Sequence, residues 1–371
     1  MKFSTTKADL QSALQKASKI IPSRSTIPIL GNMLVTSDSG TVIIRATDLE
    51  QTIVLTIPAS IEEEGSAVIP VDTLSNITSE LPDGRITLSI DGKLNISLKS
   101  DTGEYDLKGL APEEFPAPPE PEEQTSITIS SDLLKSIFQI TRFAISRDEL
   151  KPALTGVLFQ FTQDNLTAVS TDGHRLVLYA ISSFDSGGFT GDVIIPKKFL
   201  SLSQNLLNQS DKVELQIAKT HITASFGSDI VHSRIIDERY PDYESVIPKN
   251  NDKTLTVNVQ QMASAVRRVS IFSNRTTQQI SIAMNDSSIE IATEDPEKAT
   301  KAHETLEAEY SGESIIIGYN ASYLKELLSF IPSQKATLKL NTPISATVFY
   351  PEEQEENRNI TMLLMPIRLN D

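Results

Sequence analysis

The segment Thr171-Asp172-Gly173-His174-Arg175 places a carboxylate, an imidazole and a guanidinium side by side, a combination that could serve acid–base catalysis or metal binding. The rest of the chain supports neither use. The histidines are scattered and none has the close spacing of a metal-ligand pair; they are His174, His221, His232 and His303. The sequence also lacks a Gly-rich phosphate loop and a Gly-x-Ser-x-Gly nucleophile elbow. We therefore expect no catalytic residue, no metal and no cofactor, and we interpret Asp172 as a turn acid that binds nearby backbone amides.

The Thr-Asp pair that begins this segment has counterparts in two other parts of the chain. Ala46-Thr47-Asp48 and Ala292-Thr293-Glu294 stand about 120 residues to either side of Ser170-Thr171-Asp172. Two other signals recur at a similar interval: they are Ile69-Pro70, Ile195-Pro196 and Ile317-Gly318, and then Phe115-Pro116, Tyr240-Pro241 and Met365-Pro366. A period of this length corresponds to a whole domain. The sequence thus predicts three copies of one domain, at residues 1–123, 124–250 and 251–371.

Each copy is predicted to be α+β, with helices on one face of antiparallel sheet. Three residues are predicted to cap the first helix of each copy, namely Thr6, Ser131 and Asn258. A second helix follows the Ile-Pro signal. Strict alternation of apolar residues from Ile86 to Leu98, on both sides of Asp91-Gly92, predicts a hairpin. The alternation returns at Val213, Leu215 and Ile217, and at Leu338, Leu340 and Ile344.

Composition excludes several classes of protein. The 371 residues include no cysteine, which excludes disulfides and thiolate metal sites and fits a reducing compartment. No stretch approaches the roughly 18 apolar residues of a membrane-spanning helix, so we expect a soluble cytoplasmic protein. The formal net charge of −16 argues against adhesion to nucleic acid through the whole surface.

Positive charge is nevertheless concentrated on the predicted helices and the turns that follow them. The residues concerned are Lys7, Lys16, Lys19 and Arg24 in copy one, Lys135, Arg142, Arg147, Lys197 and Lys198 in copy two, and Arg267, Arg268 and Arg275 in copy three. One interpretation is that they only form the solvent-exposed faces of amphipathic helices. Their recurrence in all three copies favours a shared surface for the phosphates of duplex DNA, without base readout. Aromatic residues make up only 6% of the chain, which disfavours a stacking platform for single strands.

The chain resembles the bacterial DNA polymerase III beta subunit family over essentially its whole length. The most specific matching segments are Thr26-Ile-Pro-Ile-Leu-Gly-Asn32, Ser170-Thr-Asp-Gly-His-Arg-Leu176, Tyr240-Pro-Asp-Tyr243, Ile271-Phe-Ser-Asn274 and Leu364-Met-Pro-Ile-Arg-Leu369. The resemblance implies a homodimer in which two three-domain chains close head to tail into a six-domain ring. The ring would encircle double-stranded DNA as a processivity factor, with sheets outside, helices around the hole, and no enzymatic activity.

The resemblance also implies a cleft between domains two and three that binds a short peptide. Its partners would be the DNA polymerase III catalytic subunit, the clamp loader, other polymerases and repair proteins. The matching positions combine an apolar groove with a few polar groups; they are Leu154, Thr171, Gly173, His174, Arg175, Leu176, Pro241, Val246, Asn320, Tyr323, Ile344, Leu363, Met365, Pro366, Ile367 and Arg368. The chain departs from the family at Ser245, where relatives can carry arginine, and at Ala346, which replaces a small hydroxyl residue. Asn370 and Asp371 extend it near the groove mouth.

For the dimer seam, the resemblance implies pairing between an edge strand of domain one and an edge strand of domain three. Tyr105 and Leu107 match one side, and Ile271 and Phe272 match the other; the alternative for the second pair is an ordinary core position. The predicted DNA-facing set is Arg24, Arg142, Arg147, Lys197, Lys198, Arg267, Arg268 and Arg275. Pro152 and Ala153 stand where some relatives have tyrosines that touch DNA. A monomeric scaffold that offers only a peptide groove is the other function left open.

Overall fold

The computed structural model describes residues 1–22, 25–117 and 123–369. The α+β prediction is confirmed. The helices are α1 Lys7–Ala17, α2 Val71–Glu80, α3 Ser131–Thr141, α4 Lys197–Gln204, α5 Val259–Val269 and α6 Ala321–Ser329. The strands of the first copy are β1 Lys2–Thr6, β2 Asn32–Asp38, β3 Thr41–Thr47, β4 Gln51–Pro58, β5 Ser60–Glu63, β6 Gly65–Pro70, β7 Arg85–Ile90, β8 Asn95–Lys99 and β9 Glu104–Lys108.

The later copies contain the same kinds of strand. Those of the second copy are β10 Gln124–Ser130, β11 Gly156–Phe161, β12 Asn165–Thr171, β13 Arg175–Ser182, β14 Gly191–Pro196, β15 Lys212–Ala218, β16 His221–Phe226 and β17 Asp229–Arg234. Those of the third are β18 Lys253–Asn258, β19 Gln279–Asn285, β20 Ser288–Asp295, β21 Thr300–Glu307, β22 Glu309–Ser311, β23 Ile315–Asn320, β24 Lys335–Leu340, β25 Thr347–Pro351 and β26 Arg358–Leu364.

The chain forms two compact units. The first comprises Met1–Lys135 and Lys198–Ile235. It contains a five-stranded sheet in the order β5-β1-β7-β8-β9 and an eight-stranded sheet in the order β10-β15-β16-β17-β4-β3-β2-β6. In the larger sheet, β17 of the second copy pairs antiparallel with β4 of the first, with Ile230 opposite Val54. A continuous sheet therefore joins the first copy to the second.

The second unit comprises Ser136–Lys197 and Ile236–Asp371. It contains a nine-stranded sheet in the order β14-β11-β12-β13-β26-β25-β24-β18-β22 and a four-stranded sheet in the order β21-β20-β19-β23. Here β13 of the second copy pairs antiparallel with β26 of the third, with Arg175 opposite Leu364. The joint has the same construction as the one in the first unit, with a half-sheet of one copy continuing into a half-sheet of the next.

Each of the two smaller sheets has two end strands, and β9 and β21 are one from each sheet. β9 is the last strand of the five-stranded sheet and β21 is the first of the four-stranded sheet, and each pairs on one side only within the described part of the chain. Both strands alternate between exposed and half-buried residues. Their outer backbone groups are therefore available to another strand.

The helix caps follow the sequence signals in two of three copies. Thr6 and Asn258 each accept a hydrogen bond from the amide of the third helical residue, at 3.1 and 2.9 Å. The prediction for Ser131 was wrong. Ser130 accepts the hydrogen bond from the amide of Leu133 at 3.2 Å, because Ser131 is already the first residue of α3.

The predicted alternation holds except where turns interrupt it. β7 and β8 form the expected hairpin, but Leu94 lies in its turn at a φ of +61° instead of in a strand. The Asp91 carboxylate closes this turn by accepting hydrogen bonds from the amides of Lys93 and Asn95 at 2.8 and 2.9 Å. Ile344 lies in a turn beyond β24 and is 63% exposed, so its assignment to a strand was also wrong.

Two of the repeat signals are not equivalent in all copies. Pro70 and Pro196 are the residues directly before α2 and α4, and the residue directly before α6 is Asn320. The third member of the Ile-Pro series is thus Tyr319-Asn320, and Ile317-Gly318 was wrongly aligned. The closing signals differ too. In the first copy, an isolated β-bridge joins Leu110 to β6, and Leu110 precedes the Phe-Pro pair. In the third copy, the corresponding bridge joins Ile367 to β23, and Ile367 follows the Met-Pro pair.

Candidate functional site

The segment from Thr171 to Arg175 forms a closed turn between β12 and β13. The Thr171 hydroxyl donates to the Arg175 carbonyl at 2.7 Å and accepts from the Gly173 amide at 3.1 Å. One carboxylate oxygen of Asp172 accepts from the amides of His174 and Arg175 at 2.9 and 3.1 Å. Gly173 has a φ of +90°, which glycine adopts without strain. The interpretation of Asp172 as a turn acid is confirmed.

The first copy contains the same turn between β3 and β4. Asp48 accepts hydrogen bonds from the amides of Glu50 and Gln51 at 3.0 and 2.7 Å. The third copy differs, because β20 continues through Asp295 and the turn begins only after it. Glu294 is an exposed residue of that strand, so its predicted equivalence to Asp172 was wrong.

The Arg175 side chain is buried between aromatic rings and carboxylates. Its Nε donates to Asp172 Oδ2 at 3.0 Å and its Nη1 donates to Glu326 Oε2 at 2.7 Å. The guanidinium carbon lies 5.3 Å from the centre of the Phe143 ring and 4.8 Å from that of Tyr323. Only 7% of Arg175 is exposed. The expected polar group of the groove is therefore already bonded within the protein.

Three of the apolar residues predicted for the cleft share one buried cluster. Leu154, Leu176 and Leu363 pack together with the rings of Tyr240 and Tyr243. The other buried members are Leu158, Val169, Ile194 and Ala346, so the departure at Ala346 lies inside this cluster. Burial raises the pKa of Tyr240 well above its ordinary value, and it also raises the pKa of Tyr243.

The C-terminal segment is tied to both the turn and β23. The Met365 amide donates to the His174 carbonyl at 2.8 Å, and the Ile367 amide donates to the Gly318 carbonyl at 2.8 Å. A Cβ atom at Gly318 would stand 2.6 Å from the Ile367 carbonyl oxygen. Glycine at this position therefore allows the segment to lie directly on β23.

The remaining cleft candidates are at least partly accessible. Asn320 is the N-cap of α6, since its side-chain oxygen accepts from the amides of Ser322 and Tyr323 at 3.0 and 3.1 Å. The His174 ring stacks on the Tyr323 ring with centroids 5.5 Å apart. The exposed members are Gly173, His174, Pro241, Val246, Ile344, Met365 and Arg368, and the half-buried members are Thr171, Asn320, Tyr323, Pro366 and Ile367. Ser245 is also exposed; its hydroxyl donates to the Asp242 carbonyl at 2.8 Å.

Some of the predicted DNA-facing residues have partners within the protein. The Lys198 ammonium donates to the Asp48 carboxylate and, at 3.0 Å, to the Ile20 carbonyl. Arg268 forms a two-point ion pair with Glu304 of β21 at 2.7 and 2.5 Å. Lys198 and Arg268 thus each have a carboxylate partner, although their side chains are 39% and 58% exposed. Their contact with DNA stays a prediction.

The other cations of that set lie at the surface. Arg267 lines a solvent-open cavity of 790 Å³ between α5 and α6, together with Lys325, which the sequence analysis missed. This cavity is separate from the predicted peptide cleft. Arg142, Arg147, Lys197 and Arg275 are exposed, and Arg24 and the extension Asn370-Asp371 lie outside the described residues.

The seam candidates are positioned at the two open edges. Tyr105 and Leu107 are half-buried residues of β9. Ile271 and Phe272 are 76% and 42% exposed in a short 3-10 helix, so they are not core residues. The Thr300 hydroxyl of β21 donates to the Phe272 carbonyl at 3.1 Å, which places this apolar pair beside the β21 edge.

Neither a metal-binding cluster nor a membrane-spanning helix occurs in the described ranges. Those ranges contain no cluster of three or more His, Cys, Asp or Glu residues arranged to hold a metal ion. None of the helices described there is long and apolar enough to cross a membrane.

Comparison with known proteins accounts for the repeated architecture. The N-terminal, central and C-terminal domain models of the DNA polymerase III beta subunit match residues 1–119, 128–242 and 244–368. The chain belongs to the DNA polymerase III beta subunit family. The beta sliding clamps of Escherichia coli K12 and Caulobacter vibrioides are 29% and 30% identical to it, with each chain fully covered. Family members are sliding clamps, which act as processivity factors and not as enzymes.

Solved clamp structures agree over the whole chain. The Caulobacter crescentus clamp with bound PEG has a TM-score of 0.94 at 30% identity, with 100% of this chain and 99% of that one covered. The Bacillus subtilis clamp has a TM-score of 0.94 at 27% identity, and a Bartonella birtlesii clamp bound to griselimycin has 0.93 at 29%. Both chains are fully covered in these last two comparisons. The resemblance stated from the sequence motifs is confirmed.

Proposed function

We propose that two copies of this chain close head to tail into a ring around duplex DNA in the cytoplasm. The ring tethers the catalytic subunit of DNA polymerase III, the clamp loader and other partners through a peptide cleft. The observation that carries this proposal is the pair of open strand edges, β9 and β21. Domain boundaries near residues 123 and 250 are part of the proposal, and the family matches that end at 119 and 242 support them.

The joints inside the chain support this seam. Between copies one and two, β17 pairs with β4, and between copies two and three, β26 pairs with β13. The strands equivalent to β17 and β26 in the first copy, and to β4 and β13 in the third, are β9 and β21. Pairing β9 of one protomer with β21 of the other would repeat the same antiparallel joint and satisfy both edges. Ile271 and Phe272 would supply the apolar contact beside β21.

The peptide cleft is supported by the arrangement around β13 and β26. A buried apolar floor that includes Leu154, Leu176 and Leu363 adjoins the turn and the C-terminal segment. Exposed apolar side chains, among them Val246 and Met365, remain available to a ligand. Such a combination suits a short peptide with apolar anchors and few charged contacts. On the DNA side, Arg267 and Lys325 fit sequence-independent phosphate contacts.

The ring is tested by electron-microscope class averages of the purified protein without DNA. We expect closed rings with six similar lobes around a hole wide enough for duplex DNA. An Ile271→Ala, Phe272→Asp double variant should remain folded but sediment as a monomer, because a carboxylate would be buried in the seam. Single three-lobed crescents for the wild type, or a double variant that stays dimeric, would contradict the proposed seam.

The cleft is tested by fluorescence-anisotropy titration with a synthetic peptide that carries two leucine-sized anchors. Met365→Ala should weaken binding about tenfold or more, since hot-spot truncations cost at least about 1–2 kcal/mol, without changing the dimer. Leu176→Ala should abolish binding, although Leu176 also belongs to the core and its variant needs a melting control. Ile316→Ala is the matched control, because Ile316 is 54% exposed but outside the cleft set. Unchanged affinity in Met365→Ala would remove Met365 from the site.

A further inference from the structure

The two joints inside the chain pair their strands in the same register. In each joint, two buried residues lie opposite each other at the centre of the pair; they are Val231 and Ile53 in the first unit, and Met362 and Val177 in the second. Three residues along, each joint has one more backbone hydrogen bond. The Arg234 amide donates to the Glu50 carbonyl at 2.9 Å, and the Met365 amide donates to the His174 carbonyl at 2.8 Å. The chain therefore uses one joint geometry twice.

The residue of β9 that corresponds to Val231 and Met362 is Tyr105. In each copy, the residue before the first helix is paired with the first residue of β7, β15 or β24. Three residues further along these strands, the partners in the next two strands are Leu98 and then Tyr105 in the first copy, Ala224 and then Val231 in the second, and Phe349 and then Met362 in the third. The strand pairings thus fix which residue of β9 stands at the centre of a joint.

The residue of β21 that corresponds to Ile53 and Val177 is Ala302. In each copy, the residue before the second helix is paired with the first residue of β2, β11 or β19. Two residues further along, the partners in the next two strands are Arg45 and then Val54 in the first copy, Val169 and then Leu178 in the second, and Ala292 and then His303 in the third. The residue before the last of these is Ile53, Val177 or Ala302.

The same register at the seam would place Tyr105 of one protomer opposite Ala302 of its partner. This puts a bulky ring against a small side chain on the half-buried face of the two strands.

On the exposed face of the two strands, the same register would place charged residues opposite each other. Asp106 would then lie opposite Lys301, and Glu104 opposite His303. Cross-strand neighbours of opposite charge stabilise a sheet, and like charges destabilise it. A slip by two residues that brought Lys301 opposite Lys108 would therefore be disfavoured.

We propose that β9 and β21 pair in this register and that the Asp106–Lys301 pair, with Glu104 and His303 beside it, makes the seam selective for a second copy of this chain. An edge strand with a base in place of Asp106 would meet Lys301 with like charge. Within its own chain, Lys301 is 3.8 Å from Glu294, so at the seam the lysine would lie between two carboxylates. The inference rests on the ring proposed above and adds the register and the selectivity of its seam.

The register is tested with cysteine pairs, because the sequence contains no cysteine. Opposite residues of an antiparallel pair have Cα atoms about 4.5–5.5 Å apart, which a disulfide can span, and a separation above about 7 Å prevents it. The Asp106→Cys, Lys301→Cys double variant should give covalent dimers on a non-reducing gel after mild oxidation. The offset control, Lys108→Cys with Lys301→Cys, should give about tenfold less. Equal or stronger cross-linking in the offset control would overturn the register.

The charge pair is tested by analytical ultracentrifugation of two single variants, apart and mixed. Lys301→Asp and Asp106→Lys each place like charges in both seams of the ring, so each should raise the dimer dissociation constant about tenfold or more. An equimolar mixture restores opposite charges in both seams and should dimerise within about threefold of the wild-type constant. Lys219→Asp makes the same charge change in an exposed turn and should leave the constant unchanged.

The outcomes are distinguishable. If both single variants dimerise as tightly as wild type, or if their mixture does not recover the dimer, the charge selectivity is overturned while the proposed ring stands. Wild-type protein that is monomeric in the same runs overturns the ring and this inference together. An equal loss in Lys219→Asp would reduce the effect to overall charge and overturn the assignment.

Folding of the variants is controlled within the same experiment. Recovery of the dimer in the mixture shows that both single variants are folded. If either one is not, Lys301→Gln and Asp106→Asn remove the attraction without adding repulsion. Each should still weaken the dimer about threefold, and an unchanged dissociation constant in both would overturn the charge selectivity.

Discussion

The turn at residues 47–51 in the first unit and the turn at residues 171–175 in the second are closed by the same hydrogen bonds. In each, a threonine hydroxyl donates to the carbonyl of the fifth residue, and an aspartate accepts two backbone amides. The second oxygen of the aspartate is used differently. In Asp48 it binds the ammonium of Lys198, whereas in Asp172 it binds the guanidinium of Arg175. The repeated backbone is thus one frame that supports two kinds of side-chain contact.

This difference distinguishes a structural joint from the proposed peptide cleft. Lys198 adds a hydrogen bond to the Ile20 carbonyl, so its contacts end inside the first unit. Arg175 reaches Glu326 and two aromatic rings, and its neighbours line an apolar floor with exposed walls. The fifth residue of the turn is Gln51 in one case and Arg175 in the other. The residue at the end of the shared turn thus differs between the two copies, and the contacts of the carboxylate differ as well.

Replacing each of the two aspartates with alanine should show the difference between the two turns most clearly. Asp48→Ala and Asp172→Ala each leave backbone amides without their acceptor, so each should lower the free energy of unfolding by about 1–3 kcal/mol in urea titrations. Only Asp172→Ala should also weaken peptide binding, by about tenfold or more, because Arg175 and the C-terminal segment lose their positions. Equal loss of peptide binding in Asp48→Ala would mean that general destabilisation, and not the Arg175 contact, is responsible.

The hydrogen bonds that close the two turns were predictable from the sequence, whereas the partners of the aspartate side chains were not. Thr171 and Asp172 each accept a hydrogen bond from the backbone amide two residues further along the chain. Because these bonds are local, Asp172 could be interpreted correctly as a turn acid from the sequence. The partner of Arg175 is Glu326, 151 residues away in sequence. Burial of Arg175 in a stack therefore depends on the tertiary fold and has no local signal.

The same limit explains the unforeseen ion pair of Arg268 and the misalignment of the third copy. Arg268 lies on a helix that carries no acid, but its ion pair is with Glu304 of a neighbouring strand. In the third copy, Asn320 stands where the first copy has Pro70 before the second helix, and its side chain caps the helix whereas Pro70 forms no side-chain cap. A motif search based on proline consequently misaligned the repeat by two residues. Fold class followed from spacing and the family from matching segments, while individual contacts depend on the tertiary fold.

The two units should differ in their stability at alkaline pH. In the second unit, burial raises the pKa values of Tyr240 and Tyr319 well above the ordinary value near 10, whereas Tyr105 is the one tyrosine in the sequence of the first unit. The unfolded chain would release these protons above about pH 10 while the folded chain keeps them. The stability is fully present below that pH and falls as pH rises beyond it, by up to about 1.4 kcal/mol per pH unit for each hydroxyl.

Hydrogen exchange measured between pH 9 and 11 by mass spectrometry checks this order of unfolding. Protection should decline in the second unit first, after correction for the intrinsic exchange rate. Tyr240→Phe cannot ionise at this position and should reduce the pH slope of the second unit. Simultaneous loss of protection in both units, or an unchanged slope in Tyr240→Phe, would show that other groups control alkaline unfolding.

The smallest expected effect concerns the third position of each turn. Leu49 and Gly173 have φ values of +79° and +90°, a region that costs a side-chain-bearing residue roughly 1–2 kcal/mol. Gly173→Ala meets no atom within 4 Å, so it should lower the free energy of unfolding by about 1 kcal/mol through backbone strain alone. Leu49→Gly relieves that strain but frees the unfolded chain, and these terms should nearly cancel, within about 0.5 kcal/mol. Urea titrations measure the change in the free energy of unfolding for both variants. A large stabilisation by Leu49→Gly would mean that the first turn is more strained than its shared hydrogen bonds suggest.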